Sequence, residues 1–341
     1  MNCAHCYGSF GPRDKKELDE VEKLTATRRL KELGIRSIDL LGGEPLIVPE
    51  FVDILRETIN LSFRDIVIQT NGTIDFSAIL SITQNIMNQK KIPSKLSVNV
   101  SLEDWNEKNN NHIRRFMPPP KHPGNHYERA IATILQYNQT GIDTWVRTTI
   151  FKDNDVENII KELVIPERLS FIGVRFLPAG RGLSKDPLMQ PPGKKRLREL
   201  YSFINNLTLT TGRDASLNDV PYYIFNRNYF NQYKNIWEKQ GGICQAGTAL
   251  VSVDSAGDVF PCQVWQGANK FKLGNVFDFE SPEQLNKVAK EVFLDKIREI
   301  EVRPDCVNCK WFRWCGGGCK WYAHTEGQLG DPVCPIRGEE V

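Results

Sequence analysis

Residues 7–243 contain no cysteine, although the 341-residue chain has nine. Cys3 and Cys6 stand at one end, and Cys244, Cys262, Cys306, Cys309, Cys315, Cys319 and Cys334 at the other. That gap argues against a disulfide framework running through the fold, and two metal-binding regions flanking a cysteine-free body is the simplest account. An excess of one charge is also lacking. Lys and Arg number 44 against 42 Asp and Glu, a net of +2, and no basic block suits nucleic acid, so no strongly charged partner is implied. Charges interrupt every apolar run well short of the ~18 residues a membrane span needs. Residues 1–20 have no apolar signal core and are rich in Lys, Asp and Glu. No solenoid period repeats. The expectation is a cytoplasmic chain of ordinary enzyme composition, with no nucleic-acid and no membrane partner.

What is present is alternation. Helical spacing of Leu18, Val21, Leu24, Leu30 and Leu33 predicts a helix over 15–33, closed by Gly34. Short apolar strands are expected at 37–41, 66–69, 96–102, 144–151 and 171–177. Helices are expected near 49–60, 75–89, 127–138, 156–163 and 193–207. Strands separated by helices of this length predict an α/β fold with a parallel sheet and crossover helices. Residues 105–125 read as a polar surface loop, with His112, His122 and His126 solvated. The chain divides into 1–211, an aromatic and Asn-rich bridge at 212–240, and a loop-rich module at 241–341 whose apolar core looks thin enough to need metal.

Cys306-x2-Cys309-x5-Cys315-x3-Cys319, preceded by Cys244 and Gly257-x4-Cys262 and followed by Cys334, has spacings that suit either zinc or iron–sulfur clusters. The run resembles the SPASM module of radical S-adenosylmethionine (SAM) enzymes at all seven cysteines. The resemblance implies two auxiliary [4Fe–4S] clusters, an outer one on Cys306, Cys309, Cys315 and Cys334 and an inner one on Cys244, Cys262 and Cys319. The inner set is one ligand short, and its fourth iron site is either open to water or substrate or held by a non-cysteine group. Trp311-Phe312-Arg313-Trp314 reads as a shield for a cluster.

At the front, Cys3-Ala4-His5-Cys6-Tyr7 resembles the last part of the radical SAM signature Cys-x3-Cys-x2-Cys, whose first cysteine would fall before Met1. Five strands against the six of such a barrel suggest that a first strand is missing as well. The family's barrel implies a partial (β/α)6 fold, and a chain ending truly at Met1 would hold its first cluster poorly. The resemblance assigns Cys3 and Cys6 to a SAM-binding [4Fe–4S] cluster and places His5 near the adenine. It further implies that Gly42-Gly43-Glu44 binds the SAM amino group, that Ser101 and Glu103 lie at the ribose, and that Arg147 reaches the SAM carboxylate. Thr70-Asn71-Gly72 and Gly180-Arg181 fit the family's strand ends. Among Asp104, Asp153 and Asp155, nothing singles out a general base.

These residues imply a radical SAM enzyme that cleaves SAM reductively and modifies a peptide or protein, fed by a flavodoxin- or ferredoxin-type donor. Sulfatase maturation and small-molecule or tetrapyrrole chemistry stand as alternatives within the class. A non-catalytic iron–sulfur protein and a zinc-stabilised module stand outside it.

Overall fold

The computed structural model describes residues 2–11, 16–74, 80, 95–115, 124–212, 214–326, 329, 331 and 333–336. The helix expected over 75–89 and the loop positions Pro118 to Pro120 and His122 lie outside the described residues. Helix α1 (Glu20–Glu32) begins later than the apolar spacing suggested, because Asp19 caps it. Asp19 Oδ1 accepts from the Glu22 amide at 2.9 Å, and Glu22 Oε2 accepts from the Asp19 amide at 2.8 Å. Then follow β1 (Ser37–Leu40), α2 (Phe51–Asn60), β2 (Asp65–Thr70), β3 (Lys95–Ser101), α3 (Glu107–Arg114), α4 (His126–Gln139) and β4 (Asp143–Ile150). The chain continues through α5 (Val156–Ile159), β5 (Ser170–Arg175), α6 (Lys194–Thr211) and β6 (Ala215–Asn218).

The six strands pair in chain order, β1 to β6, and every pairing is parallel. Ile66, Ile68, Val98, Val100, Val146 and Ile150 face the helices and are fully buried against Leu55, Ile134 and Tyr137. The alternate face is polar, carrying Asp39, Gln69, Asn99 and Arg147. Gln69 Nε2 donates to Asp39 Oδ2 at 3.0 Å. A sheet buried on one face and polar on the other has a cavity to line.

The strand count, the loop reading of 107–114 and the solvated reading of His126 are corrected here. Among the described residues the parallel sheet has six strands, because Ala215–Asn218 within the supposed bridge is a strand. Among the described residues β1 and β6 are not paired with each other, so the sheet is open and no closed barrel forms. Residues 107–114 are helix and not surface loop, with Asn110, Ile113 and Arg114 buried. Asn106 starts that helix by accepting from the Lys108 and Asn109 amides. His126 is likewise fully buried, its Nδ1 2.9 Å from Asn110 Nδ2.

After the sheet come α7 (Val220–Phe225) and α8 (Arg227–Gln240), then a small antiparallel sheet of β7 (Ser252–Val253), β8 (Asp258–Phe260) and β9 (Gly274–Asn275). Helices α9 (Pro282–Val292), α10 (Pro304–Val307), α11 (Phe312–Cys315) and α12 (Lys320–Glu326) complete the described chain. The apolar core of this module is not thin. Trp265, Phe271, Phe279, Leu285 and Phe293 pack together, and Ala26 and Leu33 of α1 join them. Widely spaced aromatics brought together by turns give no periodic signal, which is why the sequence understated this core. Among the described residues no helix is long and apolar enough to cross a membrane.

Candidate functional site

The cysteine loop lies over the ends of the strands, held from two sides. The Ala4 amide donates to Ile113 O of α3 at 2.8 Å, and the Arg181 amide, from the turn after β5, donates to Cys6 O at 3.1 Å. Arg181 Nε also reaches Cys3 O at 2.9 Å, and Nη1 reaches Phe10 O at 3.0 Å. Gly180 makes this approach possible. Its φ is +55°, and a Cβ there would stand 2.3 Å from Tyr7 O and 2.7 Å from Cys6 O.

Beneath the loop is a cavity of about 430 Å³. Its walls include Cys3, His5, Cys6, Gly42, Gly43, Ser101, Glu103 and Arg147 from the sheet side, and Cys244, Cys262 and Cys319 from the module. Ser101 and Arg147 are register partners on adjacent strands and so point the same way. Among the described residues Arg147 makes no ion pair, although it is drawn toward Tyr7, Glu103 and Asp39. Burial lowers its pKa. His5 Nδ1 is buried without a hydrogen-bond partner, and burial pushes the His5 pKa down to about 4, so the ring is neutral near pH 7. These partnerless polar groups around a cavity beside two cysteines suit a polar ligand with a carboxylate and a heteroaromatic ring, as SAM is.

Glu103 is the most constrained of these residues. Its Oε1 pairs with Arg114 and lies 3.5 Å from His5 Nε2, while Oε2 accepts from the Thr149 amide at 2.6 Å. Burial pushes the Glu103 carboxyl up, but Arg114, His5 and the Thr149 hydrogen bonds hold it below the usual carboxylate range. Arg114 Nη1 also lies 3.9 Å from Cys3 Sγ, which brings a cation to a thiol of the cysteine loop. Glu44 does not wall the cavity. Its oxygens accept from Thr70 Oγ1 at 2.8 Å, the Asn71 amide at 2.7 Å and the Leu46 amide at 3.2 Å, which fixes the turn that presents Gly42 and Gly43. Burial raises its pKa against those hydrogen bonds.

A second cavity is lined by Cys306, Cys309, Cys315 and Cys334, with Trp311, Gly317 and Gly318. The seven module cysteines thus fall into a group of four and a group of three. Among the described residues no three His, Cys, Asp or Glu side chains converge on one point, as ligands of a mononuclear ion do. The module thiols line two cavities, four around one and three around the other. Burial raises the thiol pKa of Cys244, Cys315 and Cys319, and takes Cys262 to about 12. Without a metal these groups are neutral thiols; a bound cluster would make them thiolates.

Sequence reasoning overlooked Arg114, hidden in a stretch read as loop. The Asn106 cap and the spacing of Asn110, Ile113 and Arg114 were the available signal. It also passed over Arg175, Asp219 and Tyr322, which line the first cavity where the sheet meets the module. Arg175 donates to both oxygens of Asp331 at 2.6 Å, lies 3.6 Å from Asp219 Oδ1, and stacks 4.6 Å over the Tyr322 ring. Asp104 is buried in a local turn, accepting from the Asn106 amide, and Asp153 is exposed. Neither of them nor Asp155 walls the first cavity.

Comparison with known proteins gives one family and several relatives. The Radical SAM superfamily profile matches residues 1–163. The mycofactocin maturase MftC of Mycolicibacterium smegmatis is 20% identical over 342 residues, covering 98% of this chain and 79% of that protein. The probable GTP 3′,8-cyclase of Methanothermobacter thermautotrophicus is 41% identical over 85 residues, 24% of this chain and 27% of that protein. Streptococcus suis SuiB bound to S-adenosylmethionine superposes with a TM-score of 0.72 at 18% identity, covering 98% of this chain and 74% of that one. SuiB bound to precursor peptide SuiA gives 0.73 at 18% identity over 97% and 72%.

Proposed function

The chain belongs to the radical SAM superfamily through residues 1–163, and from that premise we propose that it modifies a peptide or protein substrate in the cavity between its two cysteine-bearing ends. The observation that carries this reading is that Cys3 and Cys6 wall the same cavity as Cys244, Cys262 and Cys319. A substrate there would be faced by an iron–sulfur site on either side. With SAM, a [4Fe–4S] cluster held by Cys3 and Cys6 would supply radical hydrogen abstraction from the substrate.

The chain's own residues bind and orient. Arg147, with Ser101 beside it, is the cation for the SAM carboxylate. Backbone groups of Gly42 and Gly43, held by the Glu44 turn, face the amino group. Glu103, pinned by Arg114 and the Thr149 amide, takes the ribose, and His5 lies at the adenine. The module cysteines hold two auxiliary clusters, in the groups of four and three given above. The substrate side of the cavity is aromatic and apolar, with Tyr223, Tyr229, Trp237, Ile243 and Leu250. Support for a peptide substrate comes from SuiB, solved with precursor peptide SuiA, and from MftC, whose name is that of a maturase. A flavodoxin- or ferredoxin-type protein would supply the electron.

The test is anaerobic reconstitution with iron and sulfide, followed by SAM, dithionite and short peptides encoded beside the gene. The reading expects 5′-deoxyadenosine and a mass change in one peptide. Failure to form 5′-deoxyadenosine with fully loaded clusters would favour a non-catalytic iron–sulfur protein.

A further inference from the structure

Glu103 lies two residues past the end of β3, outside the register pairing with β4. Its buried N–H and C=O still need partners, and two asparagine side chains supply them. Asn110 Oδ1, on the buried face of α3, accepts from the Glu103 amide at 2.9 Å. Asn154 Nδ2, just ahead of α5, donates to Glu103 O at 2.6 Å and to Thr149 O at 2.8 Å. Neither side-chain amide is free to turn. Asn110 Nδ2 sits 2.9 Å from His126 Nδ1, and Asn154 Oδ1 accepts from the Phe151 amide at 2.9 Å. Asn110 is fully buried and Asn154 nearly so.

We propose that Asn110 and Asn154 are positioning residues for the SAM ribose, fixing the Glu103 peptide and so setting where its carboxylate meets the ribose hydroxyls. This rests on the reading that Glu103 takes the ribose. Each asparagine holds Glu103 to the element that also supplies a partner of its carboxylate: α3 carries Arg114, and β4 carries Thr149. An ionised carboxylate has about four lone-pair sites. Those not taken by Arg114 and the Thr149 amide are left for hydroxyl donors, and the backbone they hang from decides where they point. Hydrogen bonds weaken steeply with misalignment, so a loosened Glu103 peptide costs the ribose contact first.

The experiment is calorimetric binding of S-adenosylhomocysteine and of its 2′,3′-dideoxy analogue, which lacks both ribose hydroxyls, to the reconstituted full chain. The readout is the ratio of the two dissociation constants, which a general loss of affinity or of folded protein does not move. In the parent, losing hydroxyls bonded to a buried carboxylate should weaken binding roughly tenfold or more. Asn110→Ala should weaken S-adenosylhomocysteine and pull the ratio most of the way to one. Thr58→Ala, an equally buried polar loss in α2, should leave the ratio at the parent value. Should Asn110→Ala not fold, Asn154→Ser gives the same reading through the Glu103 carbonyl. A parent ratio kept in the asparagine variant overturns the proposal, and so does an equal fall in Thr58→Ala. A parent that binds both compounds alike sinks the placement of Glu103 at the ribose, and the proposal with it.

Discussion

Glu103 shows how far single residues could be read in advance. Its place at a strand end marked it as a ligand-facing carboxylate, but its charge partner Arg114 was hidden in a stretch without apolar periodicity. A buried ion pair that loses one partner leaves the other charge stranded. Glu103→Gln should therefore cost roughly 3–5 kcal/mol in chemical denaturation and abolish measurable SAM binding. An unchanged unfolding midpoint would contradict the pairing. His126 was read as solvated because its neighbours are polar; the helices around it bury it, and burial pushes its pKa well below 6.5. The unfolded chain takes up that proton first as pH falls. Stability is thus fully present above about pH 6.5 and declines below it, by up to ~1.4 kcal/mol per pH unit. His126→Gln should flatten that part of the stability curve, measured by denaturant unfolding between pH 7 and pH 5.

At the scale of elements, β2 to β5 and the helices α4 and α5 were legible because apolar runs bounded by turns coincide with strands buried on one face. Strand β6 was not, since Ala215-Ser216-Leu217-Asn218 offers one large apolar residue. Its pairing depends on a gap in the neighbouring strand: a Cβ on Gly173 would stand 2.1 Å from Leu217 Cδ2. The turn after β5 was legible as a strand end but not as a clamp. Gly180→Ala forces a side chain into the carbonyls of Cys6 and Tyr7 at a positive φ. It should cost about 1–3 kcal/mol and lower the iron bound at the Cys3–Cys6 loop, read as the loss relative to Gly193→Ala, where a Cβ meets nothing within 4 Å. Equal iron in both variants would show that the loop does not depend on this approach.

Across the whole molecule, the sheet and the module are joined by charges that no local pattern reveals. Arg175 lies at the end of β5, Asp219 just after β6 and Asp331 far along the chain, so only the folded topology brings them together. Arg175→Met leaves two buried carboxylates without their cation. It should destabilise the protein by roughly 3–5 kcal/mol and split unfolding into two transitions, seen by calorimetry. A single transition at the parent temperature would contradict a clamp between the two parts. The cysteine groups were legible at this scale from the family resemblance, whereas their convergence on one cavity was not, because residues 7–243 separate the ends that form it. The central claim is that this cavity lies between one SAM-binding cluster site and a module carrying two more clusters. Iron and acid-labile sulfide in the anaerobically reconstituted Cys3→Ala, Cys6→Ala protein test it most directly. The account predicts about eight of each per chain, from two intact auxiliary [4Fe–4S] clusters. About four or fewer, or zinc in place of iron, would contradict it.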